Sequence, residues 1–215
     1  LAASRNAVAL AEQYPFVYAA IGSHPDAADE VNEDVLEQYR TMARASEKVK
    51  AIGEIGLDYY YEDIPRQIQM KAFRDQMALA AELDLPVIVH ERDAHEDGMA
   101  IVREFPTVKG VFHCYSGSAE MARQLVDKGW YIGFTGVLTF KNARRAIEAA
   151  QSIPLERIVL ETDCPYMAPE PFRGKRNDPG YLFRMAEKLA EIKDMDVEQI
   201  RRITTENAKR LYRIA

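Results

Sequence analysis

Six times along the chain, a short β-rich run gives way to a longer amphipathic stretch with helical spacing. The β-rich runs are FVYAAIGSHP from Phe16, VKAIGEIGLDYY from Val49, LPVIVHERD from Leu85, VKGVFHCYSGS from Val108, WYIGFTGVLTF from Trp130 and LERIVLETDCPY from Leu155. Between them lie NEDVLEQYRTMARAS, PRQIQMKAFRDQMALAAELD, HEDGMAIVREF, SAEMARQLVDKG and KNARRAIEAAQS, all of helical pattern. Pro65 is expected in the first turn of the second of these, and Gly129 at the stop of the fourth. An opening LAASRNAVALAEQY reads as a helix already in progress. After the sixth run comes an irregular loop, MAPEPFRGKRNDPG (167–180), then two helices near 179–191 and 196–213. Repeated βα units with short connections predict an α/β fold, a parallel sheet covered by helices. No repeat, low-complexity segment or linker divides the sequence, so one domain over 1–215 is expected.

Composition narrows the function classes. The net charge of −6 argues against a broad basic surface that grips nucleic acid. It leaves room for an enzyme that handles a few phosphates through metal ions. The two cysteines, Cys114 and Cys164, make no disulfide framework. No apolar run approaches the roughly 20 residues that span a bilayer. A soluble, cytoplasmic protein with no membrane association and no obligatory protein partner is the expectation.

The ionisable exceptions within the β-rich runs fall toward their C-terminal ends: His24, Glu54, His90, His113 and Asp163. In a parallel sheet those ends share the face on which ligands bind. A carboxylate among imidazoles is most readily satisfied by a divalent cation. Gly53 and Gly56 are expected to turn the chain on either side of Glu54. Strand alternation points Glu161 the same way as Asp163, one layer deeper, as a partner for the ligands. It turns Cys114 and Cys164 away as packing residues and places Ile52, Ile88 and Val111 inside. Arg173, Lys175 and Arg176 could meet phosphates or be a solvated loop, and Asn177 and Asp178 read as turn or cap residues. Arg92 and Asp93 are either site-adjacent or a helix start. His95 reads as surface, and Tyr59–Tyr61 as a stacking platform or rim packing.

Seven stretches together, GEIGLDYY, PVIVHERDAHED, FHCYSGS, YIGFTG, ETDCPYMAP, RGKRNDP and TTENAKRLY, resemble the TatD family of metal-dependent hydrolases and DNases. The resemblance covers essentially the whole chain. It implies a (β/α)8 barrel of the amidohydrolase superfamily with one or two divalent metal ions (Mg, Mn or Zn) at its mouth. It implies Glu54, His90, His113 and Asp163 as metal ligands, and Asp163 as the catalytic carboxylate that positions or deprotonates the attacking water. It places His24 near the substrate phosphate. Asp26 stands where the family often has a second histidine. Arg92, Arg173 and Arg176 are the further substrate-binding candidates. The His-x-His pair that opens many members is absent, and six β-rich runs stand where the fold closes with eight. An N-terminally incomplete barrel with about six of the eight βα units is therefore expected.

The function implied is hydrolysis of a DNA or other phosphate-containing ester by metal-activated water. Two alternatives stand beside it. One is a metal-dependent amidohydrolase or lactonase acting on a small molecule. The other is a chain that, as it stands, catalyses nothing.

Overall fold

A computed structural model describes residues 1–214. Six strands follow one another in hydrogen-bonded order: β1 (Ala19–Ile21), β2 (Val49–Asp58), β3 (Val87–Arg92), β4 (Gly110–Phe112), β5 (Tyr131–Phe134) and β6 (Ile158–Leu160). The pairs β1–β2, β2–β3 and β5–β6 are parallel. The helices are α1 (Ala2–Gln13), α2 (Glu33–Ala45), α3 (Arg66–Leu83), α4 (His95–Glu104), α5 (Ala119–Asp127), α6 (Arg144–Ser152), α7 (Leu182–Lys193) and α8 (Val197–Tyr212). The chain divides into two compact units, Leu1–Val111 and Phe112–Ala215.

In the first unit the core is Ile21, Ile52, Ile55, Leu57, Val87 and Val89 from the strands, with Phe73 and Met77 from α3. Each such side chain contributes about 1.5–3 kcal/mol by leaving water. Asn32 caps α2 by accepting from the Val35 N–H at 3.1 Å, and Glu33 and Asp34 face the positive end of its dipole. In the second unit, Phe112 and Trp130 meet edge to face with ring centroids 5.3 Å apart, beside Ile132, Phe134 and Ile158. Ser118 caps α5 and Asp196 caps α8.

Several expectations are corrected. The β-rich runs outlast their strands. β1 stops three residues before His24, β4 stops just before His113, and β6 stops before Glu161 and Asp163. Glu54 is not at the end of β2 but inside it. The β2–β3 register shifts between Gly53 and Ile55, so Glu54 is the extra residue of a bulge. Gly53 and Gly56 are consequently not turns, and Gly56 lies directly opposite His90 in the ladder. Pro65 is the cap before α3 rather than part of its first turn. Ile52 and Val111 are buried as expected, while Ile88 is half-buried. Cys164 is exposed, not packed. It lies in the loop beyond β6, where strand parity no longer applies.

Candidate metal centre

In the first unit the His24 side chain projects from the loop after β1, and two helices fix the residue before it. Gln76 of α3 accepts from the Ser23 N–H at 2.7 Å and donates to its carbonyl at 3.1 Å. The Ser23 hydroxyl meets the Tyr39 hydroxyl of α2 at 2.8 Å. Seven residues earlier on α3, Gln69 clamps the end of β2. It accepts from the Asp58 N–H at 2.8 Å and donates to the Asp58 and Ile64 carbonyls, each at 3.0 Å. Positions seven apart share a helix face, so one buried polar stripe of α3 holds both the loop that carries His24 and the end of the strand that carries Glu54. These amides escaped the sequence reading. Polar residues recurring on an apolar helix face were the signal.

His24, Glu54 and His90 each bring a donor atom to within 4.8 Å of the others. The His90 Nδ1 lies 2.8 Å from Glu54 Oε1, and its Nε2 lies 3.0 Å from Asp58 Oδ2. A neutral imidazole has one N–H and can serve only one of these carboxylates. Asp58 is the deeper, its side chain 8 % exposed, and its oxygen has the greater need of a donor. A proton held on Nε2 toward Asp58 leaves the Nδ1 lone pair beside Glu54, a pair of donors that a cation can join.

His24 lies beside them. Its Nδ1 accepts from the Asp26 backbone N–H at 3.3 Å and has Asp26 Oδ1 2.9 Å away, and its Nε2 lies 3.8 Å from Glu54 Oε1. His90 has the Asp58 carboxylate on its far nitrogen, the arrangement that orients a histidine ligand and raises its basicity, and the Asp26 carboxylate lies beside the far nitrogen of His24. This donor set of two nitrogens and one carboxylate fits a divalent transition-metal ion.

Asp58 was not singled out from the sequence. Its spacing from Glu54 was the available signal, since both lie in GEIGLD. Asp58→Asn is expected to keep the fold and weaken divalent-metal affinity by roughly 10–100-fold, read by competition against a fluorescent chelator. Unchanged affinity would remove Asp58 from the centre.

Around the cluster, Arg92 lies over the Tyr60 ring at 3.7 Å and the Tyr61 ring at 5.4 Å. Tyr59 donates to Asp97 at 2.7 Å, and burial, then that bond, push its phenol well above its usual range. His95 is more engaged than a surface residue. Its Nδ1 sits 2.5 Å from Oε2 of the buried Glu91, which also accepts from the Ala94 N–H at 2.9 Å.

The second unit brings a further imidazole and carboxylate together. His113 is nearly buried, and its Nδ1 lies 3.6 Å from Glu161 Oε2. The other oxygen, Oε1, accepts from the Cys114 N–H at 2.6 Å. Burial raises the Tyr212 phenol well above its usual range, and the Glu161 charge adds to the effect. Asp163 sits at φ 54 in the loop after β6. Asn177 straps that loop, donating to the Thr162 and Tyr166 carbonyls at 2.7 and 2.6 Å on either side of Asp163. That is a larger role than the turn residue expected. Asp178 does cap its turn, accepting from Gly180 at 2.7 Å. Arg173 lies over Phe140 at 4.2 Å, and Arg176 and Lys175 are exposed.

Parallel βα units with an imidazole–carboxylate donor set define a metal-dependent hydrolase of the α/β, TIM-barrel type. The sequence matches the family described as TatD related DNase over residues 1–213, and the chain belongs to that TatD family. It is 49% identical over 211 residues to the uncharacterized metal-dependent hydrolase YabD of Bacillus subtilis (strain 168), covering 97% of this chain and 82% of that protein. It is 36% identical over 222 residues to the 3'-5' ssDNA/RNA exonuclease TatD of Pectobacterium parmentieri (strain WPP163), covering 99% and 84%. Among solved structures, YJJV, a TatD homolog from Escherichia coli K12, superposes with a TM-score of 0.92 at 31% identity, covering 98% of this chain and 82% of that one. Among the described residues, no helix is long and apolar enough to cross a membrane.

Proposed function

We propose that this chain carries the site of a metal-dependent phosphodiesterase that trims single-stranded DNA from an end. The observation that carries the reading is the His24–Glu54–His90 donor set with a carboxylate beside the far nitrogen of each imidazole. The name of the Pectobacterium relative supports the substrate class. The acidic net charge suits strand ends better than a long duplex.

In this reading His24, Glu54 and His90 hold a divalent ion in the first unit, and His113 and Asp163 of the second carry the ligand roles that their motifs imply. A bound cation supplies Lewis acidity toward the phosphate and the attacking water. Asp163 takes the water's proton on a carboxylate oxygen. Glu161 holds His113 in orientation, as Asp58 holds His90. Arg92, Arg173 and Arg176 meet backbone phosphates. Imidazole donors favour zinc or manganese over magnesium.

The test is cleavage of an end-labelled single strand with each of the three metals. Activity is expected to vanish in EDTA and return on adding metal. Asp163→Asn is expected to lower turnover by roughly 10³-fold while the chain stays folded. Hydrolysis of amides or lactones with none of nucleotides would overturn the reading.

A further inference from the structure

Beside the donor set lies a cavity of about 250 Å³. It is lined by His24 of the donor set and by Asp58, the partner of His90, so anything bound in it lies beside the donor set. Pro25, Ile64 and the Tyr61 ring give it apolar walls, while Asp26 and Asp63 add carboxylates. Among the described residues no lysine or arginine lines it. Three carboxylates, counting Asp58, with no lysine or arginine among them repel phosphate, so this is no phosphate pocket. The volume is below the roughly 300–1,000 Å³ that drug-sized ligands occupy. It suits one planar heterocycle.

From this we propose that the cavity is a subsite for the terminal nucleobase of the strand, stacked on Tyr61 and selected for an exocyclic amino group. The proposal rests on the phosphodiesterase reading. Tyr61 lines the cavity, is 57% exposed, meets Tyr60 at a steep angle with centroids 4.9 Å apart and has Arg92 5.4 Å from its ring centroid, so more than half of its surface stays open to a partner. A carboxylate accepts from the amino groups of adenine, cytosine and guanine, whereas thymine and uracil present a carbonyl there and are disfavoured. Arg92, held on Tyr60 outside the cavity, supplies the positive charge the cavity lacks and places it where the adjoining phosphate would run.

The experiment compares single strands ending in adenine, cytosine, thymine or an abasic sugar, using wild-type protein, Tyr61→Ala, Tyr61→Phe and Asp63→Ala. Both cleavage in metal and equilibrium binding in EDTA are measured. Wild type is expected to favour adenine and cytosine ends over thymine, and thymine over abasic ends. Tyr61→Ala is expected to raise KM about 10-fold on base-bearing ends and leave the abasic end unchanged. Tyr61→Phe keeps the ring and should behave as wild type. Asp63→Ala should narrow the gap between cytosine and thymine.

Equal cleavage of all four ends by wild type, with Tyr61→Ala unaffected, overturns the subsite and leaves the phosphodiesterase reading standing. If no end is cleaved, that reading fails and binding in EDTA decides the subsite. Base-dependent binding lost in Tyr61→Ala supports it, and base-independent binding overturns it.

Discussion

Glu54→Ala is expected to abolish metal-dependent cleavage, by roughly 10³-fold or more, while leaving the metal-free protein at least as stable as wild type. Glu54 makes its described contacts to imidazole nitrogens, and its side chain is one-third exposed. It sits on a bulge of β2 with Asp58 four residues on, both against His90. Without a cation, this concentration of negative charge gives the fold little or costs it something. With a cation the carboxylate becomes a ligand. A site that destabilises the empty protein and is satisfied only by its ligand shows the usual conflict between stability and function.

The paired readout is a thermal melt with and without metal. Saturating metal should stabilise wild type by about 2.7 kcal/mol at a hundredfold excess over Kd, and the same addition should leave Glu54→Ala nearly unmoved. A variant that keeps the metal-induced shift would show that Glu54 is not a ligand. One that melts well below wild type without metal would show that the bulge needs the side chain for structure.

The alternation of runs is legible because every helix here buries one face. In α3 the positions Ala72, Phe73, Gln76, Met77 and Ala80 repeat at helical spacing, and the structure starts that helix within a residue of where the pattern does. Strand ends are not legible in the same way. Stretches such as the one around Thr135 and Leu138 are buried and apolar, yet they form a short 3-10 turn beyond β5. Hydrophobic pattern reports burial and is silent on where a hydrogen-bonded ladder stops.

His24, Glu54 and His90, which the structure brings together, are three of the five ionisable residues that stand out in the sequence, because few such residues interrupt apolar runs. Their partners do not. Which nitrogen of His90 faces Asp58 depends on a ring rotation and on the bulge at Glu54, neither of which leaves a periodic trace. Gln69 and Gln76 are hidden differently, as long polar side chains in a helix whose legible pattern is its apolar positions.

Gly56→Ala is expected to be the most damaging single change in the first unit, and for a reason tied to the site. Gly56 has φ 139, outside the range that L-residues favour, and it pairs with His90. A Cβ built on it would overlap the His90 carbonyl oxygen. The clash is with backbone, which has no rotamer to yield, so β3 must move at the residue that presents the imidazole. Strain and displacement together are expected to cost roughly 3 kcal/mol or more.

Gly174→Ala separates the two contributions. That glycine has φ 85, and an added Cβ would meet nothing within 4 Å. Backbone strain alone acts there and should cost about 1 kcal/mol. The excess at Gly56, measured by urea unfolding of both variants, is the cost of separating β2 from β3. Metal affinity should fall in Gly56→Ala even at temperatures where it stays folded, and hold in Gly174→Ala. Equal destabilisation of the two would mean that β3 yields freely to the added carbon, and that the position of His90 is not set by its contact with Gly56.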